Sequence, residues 1–197
     1  MIAPKYKTAA EADAAYREYI DYHIAAVQWV QAQFGTLICT EICVRRNSDH
    51  GIDALCLNRL LSQRVAFHDR SKYTGTEFKP YRQYFYPSME DILPDEVKYR
   101  EFDYAWRHHY MVNEHHPEHW SSLIYRQLAK VKMPDVFFAE MICDWIAVSL
   151  TQHSSLYDWW FNPDTRSDKV QFIDSDDMNF LDEFITEYNV TFDFSDR

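Results

Sequence analysis

The sequence predicts an all-α fold, and three observations support this prediction. Apolar residues recur every three or four positions along most of the chain, which is the period of a helix buried on one side. Only three glycines occur, Gly35, Gly51 and Gly75, too few for a sheet-rich fold with many tight turns. Prolines and other turn residues separate the periodic segments. We therefore expect a bundle of helices.

The length favours a single domain. A chain of 197 residues can bury one substantial core. Hydrophobic residues make up 47% of it and aromatic residues 17%, which is enough apolar surface to offset the conformational entropy lost on folding. We expect one domain over residues 1–197, with its core at about 8–160 and a C-terminal helical extension at about 161–197.

The first long helix is predicted from Thr8 to about Phe34, because Tyr16, Ile20, Val27 and other apolar residues recur there at helical spacing. His23 lies on this apolar stripe. The segment 36–48 is rich in β-branched residues and is ambiguous between a continuation of the helix and a short extended piece.

Five further helices are predicted, besides a short one in the segment YTGTEFKPYRQYFYP after Lys72. The second is capped by Ser48 or Asp49 and runs to about Ser71, so that it carries His68 and Asp69 near its end. The others are predicted, in chain order, from Asp95 toward His116 with a stop at Pro117, from Trp120 to Val131, from Asp135 through Asp144, and from Met178 to Tyr188.

Charge and glycine content exclude several classes of function. The net charge of −11 argues against binding to a nucleic-acid duplex, because a polyanion needs a basic face. The chain lacks a glycine-rich phosphate loop. Without a secretory signal or a long apolar run, we expect a cytoplasmic protein that does not enter a membrane, with its four cysteines reduced. A homodimer through the aromatic-rich C-terminal helices remains an open alternative.

The predicted helices carry an unusual number of histidines, together with two aspartates on otherwise apolar segments. Imidazole and carboxylate groups on facing helices are suitable ligands for a divalent transition metal. A mid-helix carboxylate among apolar neighbours, such as Asp144, is costly to bury without a cation. The candidate ligands are His23, His68, Asp69, His108, His109, His115, His116 and Asp144.

The order of these residues resembles the HD superfamily of metal-dependent phosphohydrolases. In that family a histidine, then a His-Asp doublet, then a distal aspartate hold the metal in an all-helical domain. The matching positions here are His23, His68, Asp69 and Asp144. The runs HDRSK, EF (Glu77 and Phe78), AWRHH, NEHHPEHW and EMICDW resemble more narrowly a family of uncharacterised bacterial and phage HD-like proteins. The resemblance covers roughly residues 16–160 and implies an HD-domain-like helical bundle.

The resemblance also implies roles for other residues. In family members with more than one metal, extra histidines complete the second site, and His109, His115 and His116 are the candidates, with His108 an alternative to His109. We expect one or two ions of Mn, Co, Zn, Fe or Ni. Asp69 is expected to bridge or orient, Lys72 to meet a phosphate, and His119 to protonate a leaving group. Glu140 is expected either to orient a ligand histidine or to pair with a cation.

The expected function is hydrolysis of a nucleotide or another small phosphate ester by metal-activated water. Two alternatives remain open at this point. The same ligand types occur in HD relatives that use a di-iron site to oxygenate C–H bonds. The protein is otherwise a non-catalytic binder of a metal or a nucleotide, in which case its ligand set would be closed.

Overall fold

The computed structural model of the protein describes residues 4–46, 52–121 and 131–195. These residues form eight α-helices, α1 (Ala9–Arg45), α2 (Ala54–Val65), α3 (Phe78–Phe85), α4 (Asp95–Val112), α5 (Asp135–Thr151), α6 (Leu156–Phe161), α7 (Arg166–Val170) and α8 (Ser175–Glu187). Two 3-10 turns lie at Arg70–Tyr73 and Pro117–Trp120, and the described residues pair in a β manner only at two isolated bridges. None of the described helices combines the length and the hydropathy needed to span a bilayer. The predicted all-α fold class is confirmed.

The internal contacts divide the chain into two compact units. The first unit comprises Met1–Ile24 and Asp69–Asn113, and the second comprises Ala25–His68 and Glu114–Arg197. Each has its own hydrophobic core. The expectation of one domain stays a prediction, and the two units are described separately below.

The first unit has a small, aromatic core. Residues 9–24 of α1 contribute to it, and α3 packs against α4, with the ring of Tyr84 stacked on Phe102 at 4.1 Å between centroids. The buried members of this core are Tyr16, Ile20, Phe78, Tyr81 and Ala105. Because it has few aliphatic members, ring contacts account for much of the packing in this unit.

The buried carboxylate of Asp91 anchors the loop after α3 to that helix by hydrogen bonds. It accepts hydrogen bonds from the side chains of Arg82 and Gln83 on α3, and from the backbone N–H of Ser88 at 2.7 Å and its hydroxyl at 2.9 Å. Burial alone would raise the pKa of Asp91, but these hydrogen bonds outweigh it and lower the pKa. Folding therefore favours the ionised form.

We expect Asp91→Asn to lower the free energy of unfolding by about 1–3 kcal/mol at pH 7, because it removes a charged acceptor from Arg82. Since the folded-state pKa is lowered, the contribution is present above the unfolded value of about 4 and is lost as the pH falls through the folded value. Urea denaturation of both proteins at pH 7 and pH 3 should show a gap that narrows in acid. Asp13→Asn, at the exposed partner of Arg82, is the control and should cost under about 1 kcal/mol. A gap independent of pH would contradict the prediction.

The second unit has the larger, aliphatic core. Within it, α2 packs against α5, and residues of α1, α6 and α8 complete the interior. Its fully buried members include Val27, Val30, Ile38, Ile42, Leu57, Leu61, Phe138, Ile142, Ile146, Trp160, Leu181 and Phe184. The predicted helix from Met178 to Tyr188 is confirmed as α8, and Asp144 lies within α5 as predicted.

Arg46 is a buried cation in the second unit, directly after α1. Its guanidinium group makes two hydrogen bonds to Asp177, at 2.6 and 2.7 Å, and one to Asp135, at 2.5 Å. It also donates to the carbonyl of Met133 and lies over the ring of Phe138, at 4.0 Å from the centroid. One arginine thus satisfies two acidic side chains and a backbone carbonyl.

Helix α1 continues through the segment 36–48 as far as Arg45, which resolves the ambiguity left by its β-branched residues. Ile38 and Ile42, four residues apart, are fully buried on one face. Gly35 does not end the helix. A Cβ atom there would lie 2.5 Å from Oδ1 of Asn58, so the absent side chain makes room for a residue of α2.

The predicted ends of two helices are wrong. Helix α2 ends at Val65 and not near Ser71, because Asp69 has a left-handed backbone, with φ of 53°, that an α-helix cannot accommodate. Helix α4 ends at Val112, before His116. Asn113 adopts an extended backbone there and donates its side-chain amide to the carbonyl of His109 at 2.8 Å.

Two other predictions fall on residues outside the described ranges. Asp53 caps α2 by accepting a hydrogen bond from the N–H of Cys56, whereas the predicted caps, Ser48 and Asp49, lie outside the described residues. The helix predicted from Trp120 to Val131 also lies mostly outside them. Trp120 itself belongs to the 3-10 turn Pro117–Trp120.

The four cysteines, Cys39, Cys43, Cys56 and Cys143, form no disulfide. Cys39 and Cys143 are buried in the core of the second unit. Burial, with smaller effects from Cys43 and Asp135, raises the pKa of Cys39 to about 12. Burial also raises the pKa of Cys143 well above its usual value. These two thiols therefore stay protonated at neutral pH.

Candidate metal-binding groups

Each unit contains one group of buried histidines and carboxylates, and together these groups hold most of the predicted metal ligands. The first-unit group is His23, Asp69, Glu77 and His109, and the second-unit group is His68, His115, Glu140 and Asp144. Seven of these residues are at most 3% exposed, and the side chain of Asp144 is 13% exposed. Such a concentration of buried ionisable groups requires compensation by protons or by metal.

The first-unit group is brought together by three helical segments and one turn. His23 lies on the buried face of α1, and His109 lies in the last turn of α4. Asp69 precedes the 3-10 turn Arg70–Tyr73, and its carbonyl accepts the N–H of Lys72 at 3.0 Å. Aspartate tolerates the left-handed backbone better than most residues because its short polar side chain bonds locally.

The carboxylate of Asp69 lies between two imidazole rings. Its Oδ2 atom is 3.6 Å from Nε2 of His23, and its Oδ1 atom is 3.3 Å from Nε2 of His109. The ammonium group of Lys72 lies 2.5 Å from Oδ2. Asp69 is therefore the centre of the first-unit group, with a histidine at each oxygen and a cation at one side.

Glu77 contacts Nδ1 of His109, the ring nitrogen that does not face Asp69. Its fully buried carboxylate lies 2.8 Å from Nδ1 of His109 and 2.7 Å from Nδ1 of His108, and it accepts the hydroxyl of Ser71 at 2.9 Å. Burial alone would raise the pKa of Glu77, but the hydrogen bonds with His109, His108 and Ser71 outweigh it and lower the pKa. An ionised carboxylate only accepts, so Nδ1 of a neutral His109 carries the proton and Nε2 presents its lone pair to Asp69.

The second-unit group repeats this arrangement with different elements. His68 follows α2, and Glu140 and Asp144 lie one turn apart on α5. Nε2 of His68 is 3.6 Å from Oδ1 of Asp144, and Nε2 of His115 is 3.9 Å from its Oδ2. The rings of His68 and His115 lie 4.4 Å apart between centroids. The two imidazoles thus face one carboxylate.

Glu140 supports His68 in the way that Glu77 supports His109. Its carboxylate lies 3.1 Å from Nδ1 of His68 and accepts the Nε–H of Arg64 at 3.0 Å. Burial alone would raise the pKa of Glu140, but the hydrogen bond with His68 and the charges of His115 and Arg64 outweigh it and lower the pKa. Both expected roles of Glu140, orienting a histidine and pairing with a cation, occur together.

The distances in both groups fit metal coordination better than direct hydrogen bonding. Two metal–ligand bonds of about 2.1 Å at a tetrahedral angle separate their donor atoms by about 3.4 Å. The separations between Asp69 and His109, Asp69 and His23, and Asp144 and His68 are 3.3, 3.6 and 3.6 Å. Charge-assisted hydrogen bonds span only about 2.7–2.9 Å. In addition, His68, His115 and Glu140 offer donor atoms within 4.8 Å of one another. These three side chains of the second-unit group could together hold a metal ion.

The structure distinguishes the two members of each histidine pair, 108/109 and 115/116, by their burial and contacts. His109 is buried against Asp69, whereas the side chain of His108 is 33% exposed and contacts Glu77. His115 belongs to the second-unit group. The ring of His116 contacts that of His115 at a tilt of 39°, with 4.3 Å between ring centroids, and its Nδ1 atom lies 4.0 Å from Glu118.

The other predicted residues are placed as follows. Lys72 pairs with Asp69, as described above. His119 lies in the 3-10 turn Pro117–Trp120, with its ring 5.0 Å from that of Trp120, and its buried Nδ1 atom has no hydrogen-bond partner within the described residues. The predicted set His23, His68, Asp69 and Asp144 draws on both units, and its sharing of one centre stays a prediction.

Sequence reasoning missed Glu77. It stands in the segment YTGTEFKPYRQYFYP, where turn residues and a short helix are predicted. The pair Glu77 and Phe78 is one of the runs that resemble the HD-like family, but that resemblance implies no role for Glu77. A further signal is the pair of histidines at 108 and 109, which requires a carboxylate partner somewhere in the chain.

We expect Glu140→Gln to weaken metal binding by the second-unit group about 10-fold to 100-fold, because the glutamine amide no longer fixes the proton of His68 on Nδ1. Competition titration with a chromogenic chelator measures this affinity. Glu114→Gln removes the other carboxylate that pairs with Arg64 and serves as the control, with its affinity unchanged. Equal affinities for Glu140→Gln and the wild type would show that Glu140 supports folding alone.

A family model described as "Family of unknown function (DUF5662)" matches residues 12–187. No curated protein and no solved structure matches the chain. The matched range includes both groups of buried histidines and carboxylates.

Proposed function

The chain belongs to the family of unknown function DUF5662, and we propose that it is a metal-dependent phosphohydrolase. Its substrate is a nucleotide or another small phosphate ester. The metal is a divalent transition ion, bound by His23, Asp69 and His109 in the first-unit group and by His68, His115 and Asp144 in the second-unit group.

One observation supports this proposal. In each unit an imidazole lies between two carboxylates, so the same spatial arrangement of side chains occurs twice. In the first unit it is Glu77, His109 and Asp69, and in the second unit it is Glu140, His68 and Asp144. A histidine that binds a metal usually donates its other ring N–H to a carboxylate, which fixes the tautomer and raises its basicity. The repetition favours a functional arrangement over two independent ion pairs.

The donor atoms also narrow the chemistry. They are nitrogen and oxygen only, which suits Mn, Fe, Co, Ni or Zn. When bound, such an ion lowers the pKa of its water toward about 7 and polarises a phosphoryl oxygen. The proposed role of Asp69 is to bridge or orient, because its two carboxylate oxygens face different imidazoles.

Two further residues of the chain act on the substrate in this proposal. Lys72 supplies a positive charge beside Asp69 and binds a phosphate oxygen as a point charge. His119 donates a proton to the leaving group in this proposal. A small anionic substrate is compatible with the net charge of −11, because the local cations and the metal neutralise it at the site.

The experiment combines metal analysis with a substrate panel. The untagged protein is analysed by mass spectrometry for bound metal after expression in supplemented medium, and phosphate release is measured on nucleoside mono-, di- and triphosphates. Bound transition metal with metal-dependent phosphate release is the expected result. The proposal fails if the protein takes up no metal.

Two other outcomes would support the alternative functions. Bound iron with an oxygen-dependent change in absorbance and no phosphate release would indicate a di-iron oxygenase, for which the same nitrogen and oxygen ligands are suitable. Bound metal with neither activity would indicate a structural or sensory role. In both cases the phosphohydrolase proposal is wrong although the metal site exists.

A further inference from the structure

Tyr16 and Tyr81 are two buried tyrosines of the first unit, and their hydroxyl groups take no part in the hydrogen bonds of the described residues. The residues are 1% and 5% exposed. Neither hydroxyl oxygen has a hydrogen-bond partner within the described residues. A buried hydroxyl without a partner is costly, and phenylalanine would fill the same space without that cost.

Both tyrosines lie beside the first-unit group. Tyr81 follows Glu77 by one helical turn, since its N–H donates to the carbonyl of Glu77 at 3.1 Å. The edge of its ring contacts His109, at 5.8 Å between centroids. Tyr16 precedes His23 by two turns on the same face of α1, and its ring contacts Phe78, the residue after Glu77, at 5.1 Å.

The protonation state of the two hydroxyls decides what they can do chemically. The ordinary pKa of a tyrosine hydroxyl is about 10, so both are protonated at neutral pH. They act as hydrogen-bond donors and not as phenolate ligands of a metal.

The nearby carboxylate of Glu77 does not serve as the acceptor for these donors. One of its oxygens lies against Nδ1 of His108, and the other lies against Nδ1 of His109 and accepts the hydroxyl of Ser71. Lys72 places a positive charge beside Asp69. An anionic group with several oxygen acceptors, entering next to Lys72, would offer acceptors to both hydroxyls, with its charge offset by Lys72 and by the proposed metal rather than by the carboxylates of Asp69 and Glu77.

We propose that the hydroxyls of Tyr16 and Tyr81 donate hydrogen bonds to oxygen atoms of the phosphate group bound at the first-unit group. This inference rests on the proposed phosphohydrolase function and adds two substrate-binding residues to it. The two tyrosines select a tetrahedral oxyanion, because two donors fixed on different helices match acceptors that point in different directions.

The test uses Tyr16→Phe, Tyr81→Phe and the double variant, each loaded with the same metal as the wild type. Isothermal titration with inorganic phosphate measures affinity, and thermal denaturation without phosphate measures stability. Tyr84→Phe is the matched control, because Tyr84 lies three residues from Tyr81 on α3 and stacks on Phe102. We expect each single variant to bind phosphate roughly tenfold to a hundredfold more weakly, with unchanged metal content and an equal or higher melting temperature.

The remaining outcomes distinguish this inference from the proposed function. Wild-type affinity in both variants, with a lower melting temperature, would show that the hydroxyls hold a structural water, and would overturn the inference alone. If the metal-loaded wild type itself binds no phosphate and hydrolyses no ester, the proposed function fails and the inference fails with it. Weaker binding in the control as well would show a general effect of ring substitution and would also overturn it.

Discussion

Asp69→Asn should lower kcat/KM for phosphate-ester hydrolysis by at least about a thousandfold, because a carboxylate metal ligand contributes several kcal/mol to stabilising the transition state. The substitution removes the negative charge that faces His23, His109 and Lys72. Asparagine tolerates the left-handed backbone at this position, with φ of 53°, as well as aspartate does. The fold should therefore survive, and the loss of activity can be attributed to the carboxylate.

This prediction is checked by steady-state kinetics on the best nucleotide substrate, together with metal analysis and a thermal melt of the same sample. Asp103→Asn is the control, because Asp103 pairs with Arg107 on the exposed face of α4 in the same unit and should leave all three measurements unchanged. An Asp69→Asn protein that keeps both its metal and its activity would remove Asp69 from the mechanism.

Arg46→Met should lower the free energy of unfolding by roughly 3–5 kcal/mol, because it leaves buried carboxylates without their cation. Asp177 is 3% exposed and loses both of its hydrogen bonds from the guanidinium, and Asp135 loses one. The methionine still packs against Phe138, so the effect comes from charge more than from volume.

Urea denaturation at pH 7 measures this loss. Arg45→Met is a close control, because Arg45 is the preceding residue and pairs with Glu41 and Glu187 at a side-chain exposure of 28%, so its removal should cost under about 1 kcal/mol. The double variant Arg46→Met with Asp177→Asn should regain part of the lost free energy of unfolding, because it also removes one of the carboxylates left without a cation. Equal destabilisation by the two single variants would contradict the role given to Arg46.

The interiors of the helices were predictable from the sequence, and the ends near the functional residues were not. Apolar residues at helical spacing identify α1, α5 and α8 because burial of one face imposes that period. The end of α2 was predicted too late because the apolar pattern continues to Phe67, which is 65% exposed. The pattern carries no information on the left-handed backbone of Asp69, which depends on contacts far away in sequence.

The candidate site was predictable in its histidines and aspartates but not in the residues around them. His23, Asp69 and His109 were expected and lie in one group. Tyr16 and Tyr81 have the same spacing as core residues, and their role depends on an unpartnered hydroxyl that only three-dimensional packing reveals. Sequence patterns detect the chemistry of a side chain and its periodicity, whereas the partners of each polar atom are set by tertiary structure.

Burial of the thiols also affects which metals the proposed site at Asp144 would select. Cys143 is the residue directly before Asp144 on α5, so the two side chains point about 100° apart around the helix. Because burial keeps the Cys143 thiol protonated, no thiolate arises beside the carboxylate. Soft ions such as Cu(I) and Cd(II) prefer sulfur ligands. Among the proposed ligands they would meet only nitrogen and oxygen atoms, so we expect them to bind weakly. The same burial protects this sulfur from peroxide, so oxidative stress should leave metal binding at Asp144 intact.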